Sequence, residues 1–157
     1  MQYPYSWVRL GTQLPTSKGY TLFENDQATK IEYDDVAQGA LGDCWVLSSL
    51  SSVAEIPSRV FNLFGTRKRN SAGLYVINLY DLGVPTAVVI DDYIPYTPIA
   101  SNTSYVSVNE GEKELWAILV EKAFAKLNGN YASIEGGNPV NSAYTFLGIG
   151  GEELLFS

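Results

Sequence analysis

The sequence predicts a mixed α/β domain of the α+β kind, a helical lobe carrying a small antiparallel β-hairpin. Two segments with apolar residues at helical spacing, one beginning at Cys44 and one at about Gly111, supply the lobe. Two β-rich segments, Leu74 to Tyr80 and Thr86 to Ile90, supply the hairpin. With 157 residues, 46% of them hydrophobic and 17% charged, the chain can bury one sizeable core.

Residues 1 to about 30 are rich in Tyr, Pro, Thr and Ser and lack periodicity, so they are expected to form an extended arm, with residues 31–157 forming the lobe. From Cys44, the residues Trp45, Leu47, Leu50 and Val53-Ala54 recur at helical spacing, and Asp43 stands at the N-cap position. Pro57 stops that helix and is well placed to open a second, with Val60, Phe61 and Leu63-Phe64 as its apolar side and Gly65 at its end. In the first strand Tyr75, Ile77 and Leu79 alternate with Val76, Asn78 and Tyr80. Thr86 to Ile90 is almost continuously apolar and is expected to be buried on both faces, with Gly83-Val84-Pro85 as the turn between the strands. The clearest helix is expected over Gly111 to Leu127. Asn109 and Glu112 have capping-box spacing at its start, and Trp116, Leu119, Val120, Ala123, Phe124 and Leu127 form its buried face. Glu112 and Glu114 near the start and Lys122 and Lys126 near the end suit the helix dipole, and Asn128-Gly129 is a stop. A short helix near Pro139 to Phe146 completes the pattern.

Composition excludes several functions. A net charge of −7 argues against nucleic-acid binding, which needs clustered Lys and Arg; Arg67-Lys68-Arg69 reads as a solvated loop. The single cysteine, Cys44, forbids an internal disulfide, and neither a secretory signal nor a membrane-spanning segment is expected. These features point to a reducing, intracellular compartment, the cytoplasm, where Asn102-Thr103-Ser104 is a polar loop and not a glycosylation site. There is no histidine, the side chain that most often does general-base chemistry near neutral pH. Glu110, Glu112 and Glu114 therefore have no His with which to bind a transition metal, and Gly148-Ile149-Gly150-Gly151 lacks the Lys-Ser or Lys-Thr of a phosphate loop.

One segment carries chemistry: Gln38-Gly39-Ala40-Leu41-Gly42-Asp43-Cys44-Trp45. Its glycines allow a sharp turn that delivers Cys44 to the first turn of a helix, where unpaired N–H groups and the dipole favour a thiolate. The Gln38 amide could fold back beside the sulfur and, with the Cys44 N–H, bind a developing oxyanion. A lone cysteine on a helix is otherwise most often core.

Gln-Gly-x-x-Gly-Asp-Cys-Trp resembles the active-site motif of the calpain family, papain-like cysteine proteases with a two-lobed core. Asp91-Asp92 and Pro95, closing an apolar strand, resemble that family's Val-Asp-Asp-x-x-Pro ending. Glu114-Leu115-Trp116 and the run Leu119 to Gly129 resemble its central helix, and Tyr131 and Gly136-Gly137 follow at the family's spacing. The resemblance covers about residues 31 to 155.

It implies the helical left-hand lobe of a papain-like core, with Cys44 as nucleophile and Gln38 as oxyanion donor. Gly136 and Gly137 would pair with an extended polypeptide substrate. Asp35 and Glu114 would be carboxylate ligands of a Ca²⁺ site, a set of hard oxygens suited to that ion, with Lys30 near the position of a small residue among the carbonyl donors. Tyr33 stands where an animal calpain commonly has an Arg that forms an inter-lobe ion pair. In that family the triad's His and Asn come from a second lobe downstream. This chain ends at Ser157 without a histidine, so it is expected to be inactive alone and to need that lobe as partner. The expected function of the parent is calcium-dependent limited proteolysis of intracellular proteins. The alternative is a non-catalytic, calpain-like binding or regulatory module.

Overall fold

The computed structural model describes residues 6–14, 16–23, 30–38, 41–96, 106–108 and 113–149, and for Ser17, Ala37, Gln38, Tyr96 and residues 106–108 the backbone alone. Asn102-Thr103-Ser104, Asn109 to Glu112, Gly39-Ala40 and Gly150-Gly151 lie outside the described residues.

The architecture is mixed α/β, as the sequence predicts. In chain order come β1 (Ser6–Arg9), α1 (Leu10–Gln13), β2 (Val36–Gln38), α2 (Cys44–Ala54), α3 (Pro57–Leu63), β3 (Leu74–Asp81) and β4 (Val84–Asp91). β5 (Tyr93–Tyr96), β6 (Val106–Val108), α4 (Trp116–Leu127) and α5 (Pro139–Leu147) follow, with 3-10 turns at Thr16–Lys18, Tyr33–Asp35 and Tyr131–Ile134. The strands pair antiparallel as β1–β5, β2–β6 and β3–β4.

The core forms around α4. Trp116, Ala117, Ile118, Leu119, Val120, Ala123, Phe124 and Ala125 are all buried, so this helix is covered on every side. Phe124 meets Trp45 of α2 edge-on and Phe146 of α5, at ring-centroid distances of 5.5 and 5.6 Å. Val46, Leu47, Leu50, Val53 and Ala54 of α2 close the same core, and Tyr75, Ile77, Leu79, Val88 and Ile90 face it from the hairpin. The prolines punctuate as expected: Pro57 and Pro139 open α3 and α5, and the Asn138 side chain accepts the Val140 N–H at 2.8 Å. Among the described residues, no helix is long and apolar enough to cross a membrane.

Four local expectations change. The described part of residues 1–30 is not simply an extended arm: β1 pairs with β5, α1 makes a helical turn, and Leu10, Leu22 and Phe23 are buried in the core. Sparse apolar residues without periodicity concealed this docking. The helix expected from Gly111 begins at Trp116, because the preceding residues are bridged to Thr21 and Lys113 has a positive φ. Thr21 donates its N–H to the Lys113 carbonyl (3.1 Å) and accepts the Leu115 N–H (3.0 Å), a bridge no local signal could reveal. The hairpin turn is Leu82-Gly83, both residues at positive φ, and Val84 and Pro85 belong to β4. Finally, β4 is buried on one face only: Val88 and Ile90 point to the core while Ala87 and Val89 are exposed, because no layer of the described residues covers the outer side.

Candidate active site

Cys44 is the first residue of α2 and is exposed. The turn that delivers it is pinned on both sides. Asp43 offers its carbonyl to the N–H groups of Val46 (2.8 Å) and Leu47 (3.2 Å), and the Gly42 carbonyl accepts the Gly136 N–H at 2.9 Å. That last bond places the Gly136-Gly137 segment, which is exposed, alongside the approach to Cys44.

Trp45 fastens this arrangement from below. Its indole N–H donates to the Ile134 carbonyl at 2.8 Å, and its ring lies so close to Gly137 that a Cβ there would sit 2.5 Å from Cε2. The hydroxyl oxygens of Ser49 and Ser142 both lie 3.1 Å from the Trp45 carbonyl, within reach of the one proton each carries. The two hydroxyls are 2.8 Å apart, and Ser49 reaches the Pro139 carbonyl at 2.7 Å. Buried hydroxyls thus join α2 to α5 and fix the glycine segment against the cysteine-bearing turn.

Gln38 closes β2 and pairs through its backbone register with Val106. Its side chain lies outside the described residues, as does the Gly39-Ala40 link.

Asp35 and Glu114 come together, buried to 4% and 5% exposure, in a side-chain hydrogen bond. Asp35 Oδ2 accepts the Glu32 N–H (2.8 Å) and the Trp116 indole N–H (3.1 Å), while Oδ1 has no donor among the described residues. Burial pushes the Asp35 carboxyl up, against the downward pull of those two donors. No group of three or more metal-capable side chains occurs among the described residues. The chemistry of two buried carboxylates, one with a vacant lone-pair side, nonetheless fits a hard cation whose other ligands are backbone carbonyls and water. Lys30 is exposed, as is Tyr33.

Sequence reasoning missed the parts played by four residues. Trp45 and Ser142 read as ordinary helix residues. Asp43 occupies the expected N-cap position but makes no side-chain cap bond; it is fully buried, and so is Glu121, which stood out only as one residue of the run resembling the family's central helix. A signal was available for Glu121: Ala117, Ile118, Ala123 and Ala125 surround it with small or apolar residues, leaving α4 no polar side there.

A family model described as calpain family cysteine protease matches residues 3–155. The chain is 36% identical over 124 residues to a maize (Zea mays) calpain-type cysteine protease DEK1, covering 79% of this chain and 6% of that protein. It is 38% identical over 120 residues to the Arabidopsis thaliana protein of the same name, covering 76% of this chain and 5% of that one. It is 37% identical over 117 residues to the human calpain-2 catalytic subunit, covering 73% of this chain and 16% of that protein. The chain thus corresponds to a small part of each of these relatives.

Proposed function

The chain belongs to the calpain family of cysteine proteases, and we propose that it is the cysteine-bearing lobe of a calcium-dependent endopeptidase that makes limited cuts in intracellular proteins. The observation that carries this reading is an exposed Cys44 at the first turn of α2, beside a glycine segment hydrogen-bonded to its own turn. In this role the Cys44 sulfur attacks the scissile carbonyl, and the Cys44 N–H and the Gln38 amide receive the oxyanion. Gly136 and Gly137 offer main-chain groups to an extended substrate, which their lack of side chains leaves accessible. Asp35 and Glu114 would hold Ca²⁺, which supplies positive charge that neutralises the pair and fixes the segments bearing them.

The chain has no histidine to take the thiol proton or to return one to the leaving amine. A second lobe would supply that His and the Asn that orients it, and without them the chain is inactive. The test is complementation: this chain mixed with the second lobe of a calpain relative, with and without calcium, against a peptide substrate. Calcium-dependent hydrolysis, lost in Cys44→Ala, is the expected result. Hydrolysis and Cys44 alkylation both at background in the mixture would overturn the reading.

Exposed Trp7, Tyr33 and Tyr93 favour a second reading, a calpain-like binding or regulatory module that uses these side chains as contacts. It requires Cys44→Ala to leave partner binding unchanged.

A further inference from the structure

Asp43 lies directly before Cys44 and is 0% exposed, and Glu121, in the middle of α4, is 1% exposed. Neither carboxyl is used by the chemistry above. No hydroxyl, and no N–H of another described residue, reaches either oxygen of Asp43, and its carboxyl lies against that of Glu121. Two carboxylates have no proton between them to donate, so such a contact is a hydrogen bond only when one of the two is protonated.

We propose that Asp43 and Glu121 share one proton in a buried carboxyl–carboxylate bond, and that this bond is a positioning device for Cys44. The bond ties the residue whose carbonyl receives the first turn of α2 to the most enclosed helix of the core. It also fixes the adjacent Gly42 carbonyl, and with it the Gly136 N–H. Two negative charges in contact in a site of low polarity cannot both persist, whereas a charge-assisted bond between acid and carboxylate is stronger than a neutral one. Burial pushes the Asp43 carboxyl up, the direction that retaining a proton requires.

Of the elements packed against α2, α3 carries a cation, the exposed Arg59, which lines a cleft with Ser52 and Val53 toward the far end of α2 from Asp43. α2, β2, β6, α5 and the Tyr131–Ile134 turn contain no charged residue. On α4, Lys122 binds Asp91 and Lys126 the Val89 carbonyl, both away at the hairpin. Asp81 ends β3, Asp34 and Glu135 are exposed, and Asp35 and Glu114 form their own pair. Cys44 is adjacent to Asp43 in the chain, and Tyr131 lies on the 3-10 turn packed against α4.

The inference deepens the protease reading in its claim about Cys44, but the proton itself is measurable without hydrolysis or a second lobe. Infrared spectra near neutral pH of the full chain carrying Asp35→Asn and Glu114→Gln, which removes the other hydrogen-bonded carboxyl pair, should contain a protonated-carboxyl stretch that disappears when Glu121→Gln, which keeps a donor but no titratable proton, is added. The folded chain then binds a proton that the unfolded chain lacks. Stability is therefore complete at low pH and lost as pH rises, with the unfolding constant growing about tenfold per pH unit until the pair ionises. Glu121→Gln should remove that slope. The rate of Cys44 alkylation should stay near wild type in Glu121→Gln and fall about tenfold or more in Glu121→Ala, the scale of a misplaced reacting group. Asp43→Asn and Asp43→Ala repeat the comparison if Glu121→Ala does not fold. Absence of the stretch, together with parallel stability–pH curves for wild type and Glu121→Gln, overturns the shared proton. Equal alkylation in the Gln and Ala variants overturns the positioning role. A chain that shows both effects yet never gains peptidase activity with a second lobe fails the protease reading alone.

Discussion

A methyl group on Gly137 would have to occupy space already filled by Trp45. The indole cannot simply rotate away, because its N–H is held by the Ile134 carbonyl and its ring packs on Phe124. Gly137→Ala should therefore destabilise the fold by about 1–3 kcal/mol, the usual cost of overpacking, and shift the tryptophan fluorescence with it. Its neighbour differs. At Gly136 an added Cβ meets nothing within 4 Å, but φ is +75°, so the cost of Gly136→Ala is backbone strain, about 1–2 kcal/mol, with no change in the indole signal. A thermal melt combined with fluorescence separates the two. A Gly137→Ala chain as stable as wild type would mean that the segment is not pressed against Trp45. Part of this site was legible one residue at a time. The sequence singles out Cys44, and the resemblance to calpains points to Asp35, Glu114 and the glycine pair, while the contacts around them, from Trp45, Ser49, Ser142 and Glu121, join residues distant along the chain and leave no local trace.

At the scale of elements, the hairpin shows where local rules succeed and fail. Alternation located β3, whereas the turn was misplaced because Leu82, 88% exposed and at a φ of 49°, is a residue type that gives no turn signal. The conformation at Leu82-Gly83 is that of a two-residue turn for which Asn-Gly is preferred. Leu82→Asn should thus raise stability by about 0.5–1 kcal/mol, read as a higher midpoint of thermal or urea unfolding, and an unchanged or lower midpoint would contradict the turn. The far edge of the hairpin is held by α4. Lys122 binds the Asp91 carboxylate and the carbonyls of Asp91 and Tyr93, and Lys126 reaches the Val89 carbonyl at 2.6 Å. Burial alone would raise the Asp91 carboxyl, but the Lys122 bond, the Tyr93 N–H and the lysine charges outweigh it and hold the group below its ordinary 3.8. Because the folded value is depressed, this stabilisation is complete above the unfolded value and disappears as pH falls through the folded one. Lys122→Met should flatten stability between pH 5 and 2 relative to wild type. The difference at neutral pH should be only about 0.5 kcal/mol, since the Asp91 side chain is half exposed. Curves that stay parallel through that acid range would remove the Lys122–Asp91 coupling.

Across the whole molecule, Asp35 and Glu114 join distant parts of the chain: one ends the turn that leads into β2, the other precedes α4. Packing two carboxyls into the core leaves the lobe short of positive charge, which a bound cation would restore. If Ca²⁺ is that cation, it stabilises the folded chain by mass action, about 2.7 kcal/mol at a hundredfold excess over its dissociation constant. The unfolding midpoint of the wild-type chain should then climb with calcium and level off only logarithmically. Asp35→Asn with Glu114→Gln keeps acceptors for the Glu32 and Trp116 N–H groups while removing both charges. That double variant should be at least as stable as wild type without calcium, because no charge is buried, and should show no calcium-dependent rise. Magnesium, which needs a small octahedral shell, should mimic calcium poorly. A wild-type midpoint indifferent to calcium, or a double variant that still climbs with it, would take the cation away from this pair and leave the carboxyls as a proton-bonded strut between β2 and α4.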